Sequence, residues 1–152
     1  MQPPLPPAVG QSAQDLFRSG LFCAESVVLA VARAQGVASP LLPRLASAFC
    51  SGMARTGGPC GALTGAVMGV GLALGRSNAG DPVQPAYAAT QRLVQEFEAR
   101  FGSRDCRALL DGCDLNTPAG QAKFQEQGLA QRCVRYTGAA AEIAARVIAD
   151  GR

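Results

Sequence analysis

The sequence predicts an all-α protein, a single-domain helical bundle of about five main helices plus short helices. Its 152 residues suffice for one hydrophobic core, so one domain is expected. Apolar residues recur at helical spacing between Pro and Gly punctuation, and no stretch alternates long enough to argue for a strand. Aromatics make up only 5% of the chain and Trp is absent, so the core must be built from Ala, Gly and aliphatic side chains at close range, which suits helices.

The elements follow in order. Residues 1–10 (MQPPLPPAVG) read as a disordered, Pro-rich tail, and residues 11–152 as the cysteine-containing helical domain. Ser12 can cap a short helix through Ser19. A second helix runs from Cys23 to Gln35, with Val27, Val28, Val31 and Ala34 on one face and Gly36 as its terminator. Ser39 and Pro40 suit the N-cap and first position of a third helix to Phe49, and Cys50 to Pro59 is expected to be loop. Cys60 to Leu74 reads as an apolar helix whose Gly61, Gly65 and Gly69 form one stripe. Each glycine there costs ~1 kcal/mol, so the stripe implies a close approach, most simply a tight helix crossing. A longer amphipathic helix starts at Asp81-Pro82 and ends at Phe101, burying Leu93, Val94, Phe97 and Phe101. Ser103 is placed as the cap of a short helix with Cys106 at its third position, and Thr117-Pro118 starts another. The last helix spans about Gln131 to Ala149, with Cys133 in its first turn and a close-packing run at Gly138 to Ala141.

Composition and charge exclude several classes. A net charge of +3, spread without a basic run or interleaved aromatics, gives no support for nucleic-acid binding. Thr56 to Gly75 is uncharged but broken by glycines and Pro59, so no membrane span is expected. The N-terminus has no signal-peptide pattern, which implies a cytoplasmic, reducing setting in which cysteines are thiols or ligands rather than structural disulfides. No histidine is present. That removes the usual general base, the usual activator of a nucleophilic Cys and the usual nitrogen ligand of zinc or haem. There is also no CxxC pair.

Six cysteines remain: Cys23, Cys50, Cys60, Cys106, Cys113 and Cys133. Four of them, Cys23, Cys60, Cys106 and Cys133, fall at or within the first turn of an expected helix, where free N–H groups and the dipole favour a thiolate. Four thiolates could hold zinc or an iron–sulfur cluster, or two could cycle between dithiol and disulfide. Spacing does not choose between these.

The segments Gly20–Val27 (GLFCAESV), Ser51–Gly58 (SGMARTGG), Cys60–Gly65 (CGALTG), Phe101–Leu110 (FGSRDCRALL) and Cys133–Tyr136 (CVRY) resemble the C_GCAxxG_C_C family of redox-active proteins, named for its cysteine pattern. The resemblance covers nearly the whole chain after the tail. It implies that Cys23, Cys60, Cys106 and Cys133 are the family's four cysteines, with Gly61 to Gly65 its CGAxxG signature, and it implies redox activity or iron–sulfur binding without supplying a substrate. Two positions depart from the family pattern: Cys50 stands in what is elsewhere a glycine-rich stretch, and Val134 rather than Pro follows Cys133. Cys50 is then either incidental or a second-tier thiol beside the site.

Three readings follow. In the first, Cys23, Cys60, Cys106 and Cys133 ligate an iron–sulfur cluster, serving electron transfer or sensing with an unidentified redox partner protein. In the second they form a metal-free thiol relay, with Cys106 as nucleophile because Ser103 caps its helix and Arg104 and Arg107 flank it. In the third the protein is a structural zinc or helical interaction module, its glycine stripe a homodimer interface. Asp105, Asp111 and Asp114 are read as caps and solvated loop residues rather than ligands, and no reaction is assigned.

Overall fold

A computed structural model describes residues 2–152. Helices account for 68% of the chain, and among the described residues no strand forms. The elements are α1 (Pro6–Arg18), α2 (Cys23–Ala34), a 3-10 helix (Arg44–Phe49), α3 (Cys50–Arg55), α4 (Gly61–Leu74), α5 (Gln84–Phe101), α6 (Cys106–Leu109), α7 (Pro118–Glu126) and α8 (Ala130–Asp150). Five are long: α1, α2, α4, α5 and α8, the all-α bundle expected. The last helix packs against the other four and α2 also lies along α4. Val27, Val31, Leu63, Val70, Leu93, Phe97, Ile143 and Ile148 fill the space between them.

Tertiary packing moves three boundaries. The first helix starts at Pro6, ahead of Ser12, so the Pro-rich segment is helical from that point and the expected disordered tail through residue 10 is corrected. Pro is pre-organised for a first helical turn. Val9 and Gly10 are buried, and a Cβ on Gly10 would come within 2.8 Å of the Gly138 carbonyl oxygen, so α1 closes on the small-residue run of α8. Ser39 Oγ does accept from the Leu41 N–H at 3.2 Å. No α-helix follows, because Pro43 disfavours helical geometry at Leu42 and only 3-10 turns resume at Arg44. Asp81 caps the loop rather than α5, its Oδ2 accepting from the N–H groups of Ser77 and Asn78.

The glycine stripe of α4 is a helix crossing. A Cβ on Gly65 would lie 2.6 Å from the Ala24 carbonyl oxygen and 3.0 Å from its Cα, and one on Gly69 would lie 2.6 Å from Val31 Cγ1. Backbone meets backbone at Gly65, so no rotamer change can make room. At Gly71, on the same helix, nothing lies within 4 Å. The two positions therefore have opposite expected signs. Gly71→Ala should stabilise by about 1 kcal/mol through helix propensity. Gly65→Ala should destabilise by roughly 1–3 kcal/mol through overpacking despite the same propensity gain. Denaturant midpoints of the two variants check this, and an equal stabilisation by both would show that the crossing is loose.

Candidate functional site

Each cysteine singled out by position sits where a helix begins. Cys23 is the first residue of α2, Cys60 the N-cap of α4 and Cys106 the first residue of α6, while Cys133 lies in the first turn of α8. Cys106 is placed by Asp105 as N-cap rather than by Ser103, whose Oγ accepts from the Asp105 N–H at 3.1 Å.

Long-range contacts then bring the four together. Two backbone hydrogen bonds, Cys60 N–H to Arg104 O at 2.7 Å and Cys106 N–H to Gly58 O at 2.9 Å, form an isolated antiparallel bridge at Pro59 and Asp105 that sets Cys60 beside Cys106. Tyr136 Oη donates to Leu109 O at 2.9 Å and Arg132 pairs with Asp111 at 2.8 Å, fastening α6 and its following turn to the start of α8 and so drawing Cys106 toward Cys133. The Gly61 end of the stripe abuts the Cys23 sulfur. All four thiols line one cavity of about 350 Å³, whose wall is otherwise mainly apolar and includes Phe17, Phe22, Leu109, Leu115, Phe124 and Tyr136. Among the described residues, no three Cys, Asp or Glu side chains are gathered closely enough to hold a single metal ion.

The other two cysteines differ. Cys113 is buried and donates to the Gly120 carbonyl at 3.0 Å, an inward structural contact. Cys50, also buried, packs beside Cys23, which together with burial pushes the Cys50 thiol well up, and it donates to Glu25 Oε1 at 3.7 Å. Sequence reasoning passed over Glu25, although Glu at the third position of a helix is a capping signature. Its Oε1 accepts from the Phe22 N–H at 3.0 Å and its Oε2 from Ser47 Oγ at 2.8 Å.

The expected loop after Cys50 is a left-handed turn. Ser51, Gly52, Met53, Ala54 and Arg55 all have φ between 56° and 70°. Left-handed geometry costs roughly 1–2 kcal/mol for each non-glycine residue, so four such residues among five successive positions need external support. Thr56 Oγ1 donates to Met53 O at 2.8 Å and Gly58 N–H to Gly52 O at 2.9 Å. A Cβ on Gly52 would come within 2.6 Å of Cys106 Cβ, so this turn seats directly on a cavity cysteine while Ser51 and Arg55 reach the cavity wall.

Helix starts do not make Cys60, Cys106 or Cys133 acidic. The Leu63 and Ala62 N–H groups favour ionisation of Cys60, yet burial outweighs them and pushes its thiol up to about 12. Burial likewise holds Cys133 at about 12 and Cys106 at about 11, where Arg107 offsets only part of the effect. The expected thiolate at Cys106 is thus corrected: Arg104 is paired with Glu98 at 2.6 Å and Arg107 with Asp114 at 3.5 Å, which leaves desolvation dominant.

A pH dependence follows. The folded pKa values lie above the ordinary 9.0, so the metal-free chain binds more protons than its unfolded form between pH 9 and 11. The stabilisation is fully present below pH 9 and is lost as pH rises through the folded values. Stability should therefore fall as pH increases from 9 to 11, and Cys60→Ala should remove up to ~1.4 kcal/mol per pH unit of that slope. Thermal melts at fixed ionic strength check it, and an unchanged slope in the variant would show that Cys60 ionises freely.

The chain matches, over residues 21–147, the family model described as "Putative redox-active protein (C_GCAxxG_C_C)". No curated protein and no solved structure matches it. With the match spanning most of the chain and including Cys23, Cys60, Cys106 and Cys133, the protein belongs to the C_GCAxxG_C_C redox-active family.

Proposed function

We propose that Cys23, Cys60, Cys106 and Cys133 hold an iron–sulfur cluster used for electron transfer or sensing with a redox partner protein. The observation that carries this reading is the convergence of the four thiols on one cavity. The donor set fits: four sulfur ligands and no imidazole suit a cluster. A lone zinc ion would need all four sulfurs about 2.3 Å from one point. The four thiols line a cavity, and a cluster, unlike a lone ion, spreads its sulfur ligands over more than one metal atom.

Protonation argues the same way. Burial disfavours the thiolate at Cys106, which counts against that residue, the best candidate by sequence, as the starting nucleophile of a relay. Iron displaces thiol protons on binding, so raised values do not oppose ligation but make uptake release protons. When bound, the cluster supplies one-electron redox capacity. The chain's own part is to orient the sulfurs from four elements, to line the cavity with apolar side chains such as Phe17, Leu115 and Phe124, and to leave Cys23, Cys106 and Cys133 partly exposed.

Anaerobic purification followed by iron and acid-labile sulfide analysis tests this. Wild-type protein should carry both. Serine at Cys23, Cys60, Cys106 or Cys133 should lower both severely, whereas Cys113→Ser should keep them, since that thiol faces Gly120. Colourless protein free of iron and zinc, with a reversible disulfide among the four, would favour the relay instead.

A further inference from the structure

We infer that Cys23 and Cys50 form a reversible dithiol/disulfide pair at one wall of the cavity. Cys50 falls outside the four-cysteine set and no role has been assigned to it above. Its Cα lies 3.2 Å from the point where Gly61 would carry a Cβ, and the Cys23 sulfur abuts that same point, so the absence of a side chain at Gly61 leaves room for the Cys23 sulfur beside the Cys50 backbone. Cys23 also packs against the small apolar cluster of Ala24, Val28, Ala46 and Cys50. Cys50 is fixed in place: its thiol faces Glu25 Oε1 and the Ala46 carbonyl, each at 3.7 Å, and Ser47 and Phe22 anchor that carboxylate.

The exposures divide the roles. Cys23 is half-buried and lines the cavity, so a small disulfide can reach it; Cys50 is buried behind it. With a low-molecular-weight disulfide as oxidant, Cys23 sulfur attacks one sulfur of that disulfide. The S–S bond breaks, a first small thiol leaves with the Cys23 proton, and a mixed disulfide remains on Cys23. Cys50 sulfur then attacks Cys23 sulfur and expels the second small thiol, which takes the Cys50 proton. The two protein thiols lose two electrons and two protons, and the small disulfide gains them as two thiols. Pair formation does not depend on what fills the cavity. Its consequence rests on the cluster reading: a Cys23 sulfur engaged in a disulfide is no longer a thiolate ligand, so oxidation switches the cavity from four ligands to three.

Trypsin cleavage after Arg and Lys places the six cysteines on six separate peptides, with Cys23 in 19–33 and Cys50 in 45–55. Reduced full-length protein treated with oxidised glutathione, quenched with a maleimide and mapped without reduction should show 19–33 linked to 45–55. Dithiothreitol should reverse the link, and Cys50→Ser should abolish it and leave Cys23 as a stable glutathione adduct. Cys23 linked instead to the Cys60, Cys106 or Cys133 peptide, or Cys23 and Cys50 both recovered as maleimide adducts, would overturn the pair; this readout needs only wild-type protein. Iron and sulfide content, measured separately, distinguishes the two readings. A link formed in protein that takes up no iron upholds the pair and rejects the cluster, and iron-loaded protein whose stripped form makes no link does the reverse.

Discussion

Gly65 lies so close to α2 that a Cβ there would meet the Ala24 backbone, and the position of the cavity depends on that approach. Ala24 is the neighbour of Cys23, so the crossing that buries Ala24 also seats the Cys23 sulfur against Gly61, one residue from Cys60. A side chain at Gly61 or Gly65 would lever the start of α2 away from the start of α4 and separate two walls of the site. Glycine's propensity cost of ~1 kcal/mol per position is thus tied to the chemistry as well as to packing. The same small-residue logic joins α1 to α8 through Gly10 and Gly138, which keeps the last helix, and Cys133 with it, in register with the rest of the bundle.

The second constraint is electrostatic. Burial favours the neutral thiol at Cys60, Cys133 and Cys106 in a mainly apolar cavity, and the nearby Arg104, Arg107 and Arg132 are engaged with Glu98, Asp114 and Asp111. Neutral thiols are the stable form there, and ionising several at once needs positive charge delivered into the cavity. On the proposed reading an iron–sulfur core delivers that charge and a protein disulfide needs none, so a ligand set around the cavity and a thiol pair at its edge can coexist. The left-handed turn from Ser51 to Arg55 joins the two, since it follows directly on Cys50 and carries Gly52 onto Cys106.

Much of this was legible in the chain. Helical periodicity and Pro/Gly punctuation located the long helices; Thr117 caps α7 as expected, accepting from the Gly120 N–H at 2.9 Å. The glycine stripe predicted its own crossing. What stayed hidden depends on contacts distant in sequence. Burial of Val9 and Gly10 against α8 extends α1 into a Pro-rich segment that reads locally as disordered. The bridge between Pro59 and Asp105 joins two loops with no motif to announce it. Four left-handed non-glycine residues defy local preference, and only their support by Thr56, Gly58 and Cys106 explains them. The acidity expected at helix starts failed because dipole and N–H effects are read locally, whereas desolvation depends on how deeply the whole fold buries each sulfur.

The most direct test of the central claim is X-ray absorption at the iron edge on protein reconstituted anaerobically with iron and sulfide. Ligation by this cavity predicts a first shell made only of sulfur, with iron–iron scattering beyond it, and an oxygen contribution entering that shell in any Cys60→Ser protein that still retains iron. Iron surrounded by oxygen or nitrogen donors in the wild type, or a sulfur shell unaltered by that substitution, would contradict it.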